Sequence, residues 1–327
     1  MRAIQLSSFG GPEVMEYKEI PTPEPEAGEV RVRLYAAGVN PAETYMRTGS
    51  YAFYKPALPA GIGFDGAGVI DAVGAGVTRL KKGERVFVSS LLAKKKTGTY
   101  AEFVVTDEDA VHPLPEFVSF EQGAAMGVPG LAAYCGMFQR ARLMPGETIF
   151  IHGASGGVGT LGVQMATARG ARVLASAGSP KAMQMVRDLG ADEVFNHNEE
   201  GYMDKMVKAT GGKGPDVIIE MLADANLEED MKRIAMYGRV VINGSRGSLT
   251  FTPRLMMIKE SALYGMAIWN FRPEEFREAN YFLAAGLRTG VLKPVIGQSY
   301  PLAEAKQAHI DIIEKGGKLG KVVLTIE

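Results

Sequence analysis

The stretch Phe150-Ile151-His152-Gly153-Ala154-Ser155-Gly156-Gly157-Val158-Gly159 decides how this chain folds. Residues 148–152 are apolar and β-prone, a glycine turn follows, and residues 157–169 form helix readily. Gly153, Gly156 and Gly159 are spaced three apart, a close variant of the dinucleotide fingerprint. Such glycines serve a tight turn, close approach of a pyrophosphate to bare backbone, and close helix–strand packing. The helix N-terminus adds unpaired N–H groups and the positive end of its dipole. Three glycines also suit a plain structural turn. A second apolar strand at residues 172–176, at βαβ distance, favours nucleotide binding.

Working outward, the periodicity divides the chain. Short strands are expected at residues 2–6, 15–19, 30–36, 67–73, 85–88 and 100–105, separated by Pro and Gly clusters. This spacing predicts a partly closed β-barrel. From residue 119 a helix is expected to 140, broken near Pro129-Gly130, and strands then alternate with helices as far as 265. That alternation predicts an α/β fold with a doubly wound parallel sheet. A helix over 273–288, a strand at 295, a helix over 303–314 and a strand over 321–326 are too few for a third domain. The expected division is therefore 1–118 for the first domain, 119–266 for the nucleotide-binding domain, and 267–327 as a return to the first.

Composition narrows the function classes. With 327 residues and a net charge of −1, no electrostatic partner such as nucleic acid is implied. Lys94-Lys95-Lys96 reads as a solvated hairpin tip rather than an anion site, and the single cysteine, Cys135, as a buried inert thiol. No apolar run reaches membrane-spanning length and no signal peptide is evident, so a soluble cytoplasmic protein is expected.

Several stretches together resemble the zinc-independent branch of the medium-chain dehydrogenase/reductases, and within it the quinone oxidoreductase (zeta-crystallin-like) family. They include Phe9-Gly10-Gly11-Pro12-Glu13-Val14, Gly38-Val39-Asn40-Pro41, Lys82-Gly83-Glu84-Arg85-Val86, Val194-Phe195-Asn196-His197, Ile219-Glu220-Met221-Leu222-Ala223 and Gly244-Ser245-Arg246-Gly247. The resemblance runs over essentially the whole chain. It implies a GroES-like β-barrel catalytic domain plus a Rossmann domain, with the cofactor in the cleft between them. It also implies a homodimer joined through the last Rossmann strands, here near residues 262–269. Where zinc-dependent relatives place a cysteine and a histidine, this chain has Asn40 and Phe64, and the four-cysteine lobe is missing. No metal is expected, since zinc needs a set of Cys, His or carboxylate ligands.

The end of the second Rossmann strand selects the nucleotide. NAD enzymes carry an acid there for the ribose hydroxyl. Here the sequence is Ala175-Ser176-Ala177-Gly178-Ser179-Pro180-Lys181, with hydroxyls and an ammonium suited to a 2′-phosphate. Ser179 also suits a helix cap before Pro180, and the two roles are compatible. NADPH is the expected cofactor. By resemblance, Ser155, Gly156, Gly157 and Val158 line the pyrophosphate. Gly178, Lys181 and His197 surround the adenosine end, with Asn226 near. Asn243, Gly244, Ser245 and Arg246, with Met266, Ala267 and Ile268, flank the nicotinamide. Asn40, Tyr45 and Tyr51 are the polar candidates to meet a small electrophilic substrate, as donors to an oxygen that gains charge. After Leu58-Pro59 the chain reads Ala60-Gly61-Ile62-Gly63-Phe64-Asp65, where the resemblance implies a second proline and often another aromatic, a departure that would loosen or enlarge the substrate wall. Hydride transfer to a quinone is the first reading. Reduction of an activated C=C bond is the alternative, and a nucleotide-binding structural or RNA-binding role is a third.

Overall fold

The computed structural model describes residues 1–314 and 319–327. Its backbone forms two compact units, one of residues 1–129 and 271–327, the other of residues 130–270. These limits fall later than the expected boundaries after 118 and 266. The helix after residue 119 packs on strands of the first unit, which accounts for the first difference.

The first unit is built from β1 (Arg2–Leu6), β2 (Met15–Glu19), β3 (Glu29–Val39), helix α1 (Pro41–Thr48), β4 (Ala60–Gly61), β5 (Asp65–Val73), β6 (Arg85–Ser89), β7 (Phe103–Asp107), β8 (Val111–Pro113) and α2 (Phe120–Ala124). β3 holds the unit together: β5 pairs along one edge, while β7 pairs residues 29–33 and a later strand pairs residues 36–39 on the other. One strand serving successive neighbours bends the sheet towards the expected barrel. Its inward residues Val30, Val32 and Leu34 are almost wholly buried. The small sheet β2-β1-β4 is tied on through the N–H of Ile4, which donates to the Tyr100 carbonyl at 2.8 Å.

Helix α3 (Gly127–Tyr134) continues as a π-helical turn over Cys135–Arg140. The expected break at Pro129-Gly130 is absent. Pro129 lies in the first turn of α3, where no N–H is needed, and the interruption falls instead at residues 125–126.

The second unit comprises β9 (Thr148–Ile151), α4 (Gly157–Ala168), β10 (Arg172–Ala177), α5 (Pro180–Asp188), β11 (Glu193–Asn196), α6 (Tyr202–Ala209), β12 (Val217–Glu220), α7 (Ala223–Arg233), β13 (Arg239–Ile242), α8 (Arg254–Lys259) and β14 (Ala262–Gly265). Its six-stranded sheet runs β11-β10-β9-β12-β13-β14, all neighbours parallel. Crossovers in both directions from β9 make this the doubly wound Rossmann order, with its switch point between β9 and β12. Phe150, Leu174, Ile218 and Val240, one from each of four strands, pack with Leu227 and Met231 of α7. Truncating Phe150 to alanine there costs about 3–5 kcal/mol.

The chain then returns to the first unit with α9 (Pro273–Thr289), β15 (Ile296–Pro301), α10 (Ala305–Glu314) and β16 (Lys321–Thr325). β16 is the strand that pairs with residues 36–39 of β3. Among the described residues no helix is long and apolar enough to cross a membrane.

Candidate functional site

All strands of the second unit's sheet point the same way, so the residues after their carboxyl ends collect at one edge. That edge holds Ser155–Val158 after β9, Gly178 and Lys181 after β10, and His197 after β11. It also holds Asn226 on α7 behind β12, Asn243–Arg246 after β13 and Met266–Ile268 after β14. Every residue expected at the nucleotide thus belongs to this one edge.

The three fingerprint glycines have distinct geometries. Gly153 has φ +55, a left-handed turn that side chains rarely adopt. A Cβ on Gly156 would meet nothing nearer than the Gly153 oxygen at 3.5 Å, so its backbone is open to approach. A Cβ on Gly159 would lie 2.4 Å from Ala154 Cα, which fixes close packing of α4 against the turn. Gly156 is the N-cap of α4 and has no side-chain cap, so the first N–H groups of a twelve-residue helix are offered outward.

After β10 the acid is absent and Ser179 caps α5, accepting from the Ala182 N–H at 3.2 Å. Lys181 in the first turn is exposed and in no ion pair among the described residues. A Cβ on Gly178 would stand 2.6 Å from His197 Nε2, so the imidazole would have to move to admit a side chain there. Two of the residues expected at the adenosine end, Gly178 and His197, are therefore direct neighbours. After β13, the loop Asn243–Gly247 is shaped by Asp224, which residue patterns alone did not single out. Its Oδ1 accepts from the Arg246 N–H at 2.8 Å and from Ser245 Oγ at 3.1 Å. Those donors, the Arg246 N–H foremost, hold its carboxyl below the usual range. The Arg246 side chain is exposed, Met266 donates its N–H to Ile242, and Ile268 is buried.

In the first unit, Asn40 caps α1, and Glu43 reaches back to accept from the Asn40 N–H. This is a capping box, and Asn40-Pro41-Ala42-Glu43 carries its signature in sequence. The Asn40 side chain is buried and fully engaged. Its Nδ2 donates to Glu43 Oε1 at 3.0 Å and Asp65 Oδ2 at 2.8 Å, while its Oδ1 accepts from Lys321 Nζ. An amide whose two hydrogens are already donated has none left for a substrate oxygen. The expected donor role of Asn40 therefore conflicts with the structure, and Asn40 acts as a junction in a buried charge cluster.

Lys321 Nζ also donates to the Val39 carbonyl at 2.6 Å and lies 3.8 Å from Asp65 Oδ2. Asp65 accepts in turn from the Val128 N–H at 2.8 Å. Burial pushes Glu43 up to about 8, raises Asp65 and lowers Lys321. A divalent cation does not fit here. The ammonium already supplies the positive charge, the Asn40 amide is occupied, and Phe64 has no donor atom.

Tyr45 lies on α1, half-buried, with its ring 6.3 Å from that of Tyr51. Its hydroxyl has no hydrogen-bond partner among the described residues. Tyr51 in turn packs edge-on against Phe53. The expected loosening at Ala60-Gly61 takes a different form. Gly61 pairs with Gln5 of β1, and a Cβ on it would fall 1.9 Å from the Thr97 oxygen, so the glycine packs tightly. A cavity of about 400 Å³ does open beside it, bordered by Met46, Tyr54, Pro59, Phe64 and Lys96. Lys96 holds the Ala93 carbonyl and lies 5.4 Å over the Tyr54 ring, so it is not the solvated tip expected of it.

Comparison with known proteins adds the following. A family model described as an alcohol dehydrogenase GroES-like domain matches residues 26–116, and one described as a zinc-binding dehydrogenase matches residues 157–285. The quinone oxidoreductase of Rattus norvegicus is 46% identical over 327 residues, covering 100% of this chain and 98% of its own. The crystal structure of Escherichia coli quinone oxidoreductase complexed with NADPH matches with a TM-score of 0.88 at 29% identity, covering 100% of both chains. A structure of an NAD-dependent alcohol dehydrogenase matches with a TM-score of 0.89 at 32% identity, again over 100% of both chains.

Proposed function

The chain belongs to the quinone oxidoreductase family of medium-chain dehydrogenase/reductases, and from that membership we propose that it reduces a quinone with NADPH. The observation that carries the cofactor reading is the carboxyl edge of the six-stranded sheet. There an uncapped α4 N-terminus, an acid-free β10 end and the exposed Lys181 stand together. The pyrophosphate is received by the N–H groups of Gly157 and Val158, and the 2′-phosphate by Lys181 with Ser179. This argues for NADPH even though one similar fold is named NAD-dependent.

When bound, the nicotinamide supplies the hydride. The chain's own part is to orient and to stabilise charge. Tyr45 donates its unpartnered hydroxyl to the substrate oxygen as negative charge develops there, with Tyr51 stacked beside it. The proton that completes the reduction comes from the phenol or from water. The protein works as a homodimer, for which β14 is the open edge of the sheet, with Tyr264 exposed on it and Met257 and Ile258 exposed on α8.

Steady-state NADPH oxidation against a quinone panel and an enone and acryloyl panel tests this reading. Quinones should turn over faster, and exhaustive chelation should leave the rate unchanged. Reduction of the alkenes with none of the quinones would overturn the substrate assignment.

A further inference from the structure

Beneath the carboxyl edge, at the switch point, three titratable side chains are buried together: His152 after β9, Glu220 at the end of β12 and Asp230 on α7. His152 Nε2 lies 2.8 Å from Asp230 Oδ1 and 3.3 Å from Glu220 Oε2. Burial disfavours the charged imidazolium, and Nε2, set between two carboxyl groups, donates to the nearer oxygen, that of Asp230. Two fully buried carboxyl oxygens, Glu220 Oε2 and Asp230 Oδ2, are then left without any donor. Two unpartnered anionic oxygens in a closed interior are costly, and one proton between them removes the cost.

The remaining oxygen of Glu220 faces the nucleotide edge. Oε1 accepts from the Leu222 N–H and, at 3.2 Å, from Asn226 Nδ2, while the Glu220 carbonyl accepts from the Asn243 N–H at 2.8 Å. The Glu220 carboxyl thus holds the turn after β12 and the start of α7, whereas Glu220 holds Asn243 through its backbone alone. Four other titratable groups act on the cluster. Tyr202 faces it from α6, His197 adjoins His152 after β11, and Arg233 and Glu229 lie along α7.

We propose that Glu220 and Asp230 share one proton, steadied by His152, and that in this state they are positioning residues holding Leu222 and Asn226 where the nucleotide is received. The proposal rests on the reading of the carboxyl edge as the NADPH site. Burial pushes both carboxyls up to about 7, so the shared proton is held in mildly acidic solution and leaves as the pH rises through about 7. Loss of it places like charges side by side and loosens the loop.

The experiment titrates NADPH by fluorescence into wild type, Glu220→Gln and Asp230→Asn across pH. Each amide keeps a hydrogen between the two groups but cannot lose it. Wild-type Kd should rise at least about threefold from about pH 6 to about pH 8, while both amides hold a flat profile near the wild-type value at about pH 6. Glu220→Ala should weaken binding at every pH. A flat wild-type profile, amides that track the wild type, or a stoichiometric metal ion in the purified protein would overturn the proposal. Thermal unfolding without nucleotide separates this from failure of the NADPH reading. The folded-state pKa of the pair is raised, so wild type should lose melting temperature relative to Glu220→Gln between about pH 5 and about pH 7.5. If NADPH binds at no pH, that curve alone decides, and parallel curves would refute the shared proton.

Discussion

Tyr45 and Asn40 were equal candidates in sequence, and their surroundings separate them. Asn40 has both amide hydrogens engaged by Glu43 and Asp65, whereas the Tyr45 hydroxyl has no partner among the described residues. Tyr45→Phe is expected to lower turnover by on the order of ten- to a thousandfold while leaving NADPH affinity nearly unchanged. The loss should be smaller with quinones, which accept electrons readily, than with enones. Equal turnover of Tyr45→Phe and wild type on every substrate would make the phenol structural. Lys321 calls for a different measurement, because it supports rather than reacts. Removing the ammonium takes away the counter-charge of Asp65 in a closed interior, so Lys321→Met should destabilise the fold by about 3–5 kcal/mol in urea unfolding. A change within experimental error would mean that the carboxyls are neutral without it.

At the scale of elements, strands and parallel-sheet helices were legible because their periods differ and Gly or Pro marks their ends. β1 and β2 fall where their spacing put them, and β10 begins at Arg172 as expected. Helix α1 was missed although its start is written as Asn40-Pro41-Ala42-Glu43, since a short helix after a long strand offers little periodicity. The break misplaced at Pro129 shows the converse error, a proline taken as a stop when it sat in a first turn. The charged clusters were not legible at all. Lys321 meets Asn40 only because β16 pairs with β3, and Glu220 meets Asp230 only because α7 folds back over β12. Among the elements, β14 carries its own prediction. An open parallel edge with exposed apolar neighbours invites a second copy. Sedimentation should therefore give a dimer, and Tyr264→Lys should shift it towards monomer. A monomeric wild type would contradict the proposed edge-to-edge assembly.

For the whole molecule, the fingerprint at Gly153–Gly159 and the acid-free end of β10 together support a single claim. We propose that the second unit binds NADPH in preference to NADH, with Lys181 contributing much of that preference. Losing one charge-assisted phosphate contact costs about 1.5–3 kcal/mol, roughly tenfold or more in affinity. The most direct measurement is the pair of dissociation constants for NADPH and NADH, taken on wild type and on Lys181→Ala at one ionic strength. Wild type should bind NADPH at least about tenfold tighter, and Lys181→Ala should lose most of that difference through weaker NADPH binding alone. Equal affinities in wild type, or a preference untouched by Lys181→Ala, would contradict the account.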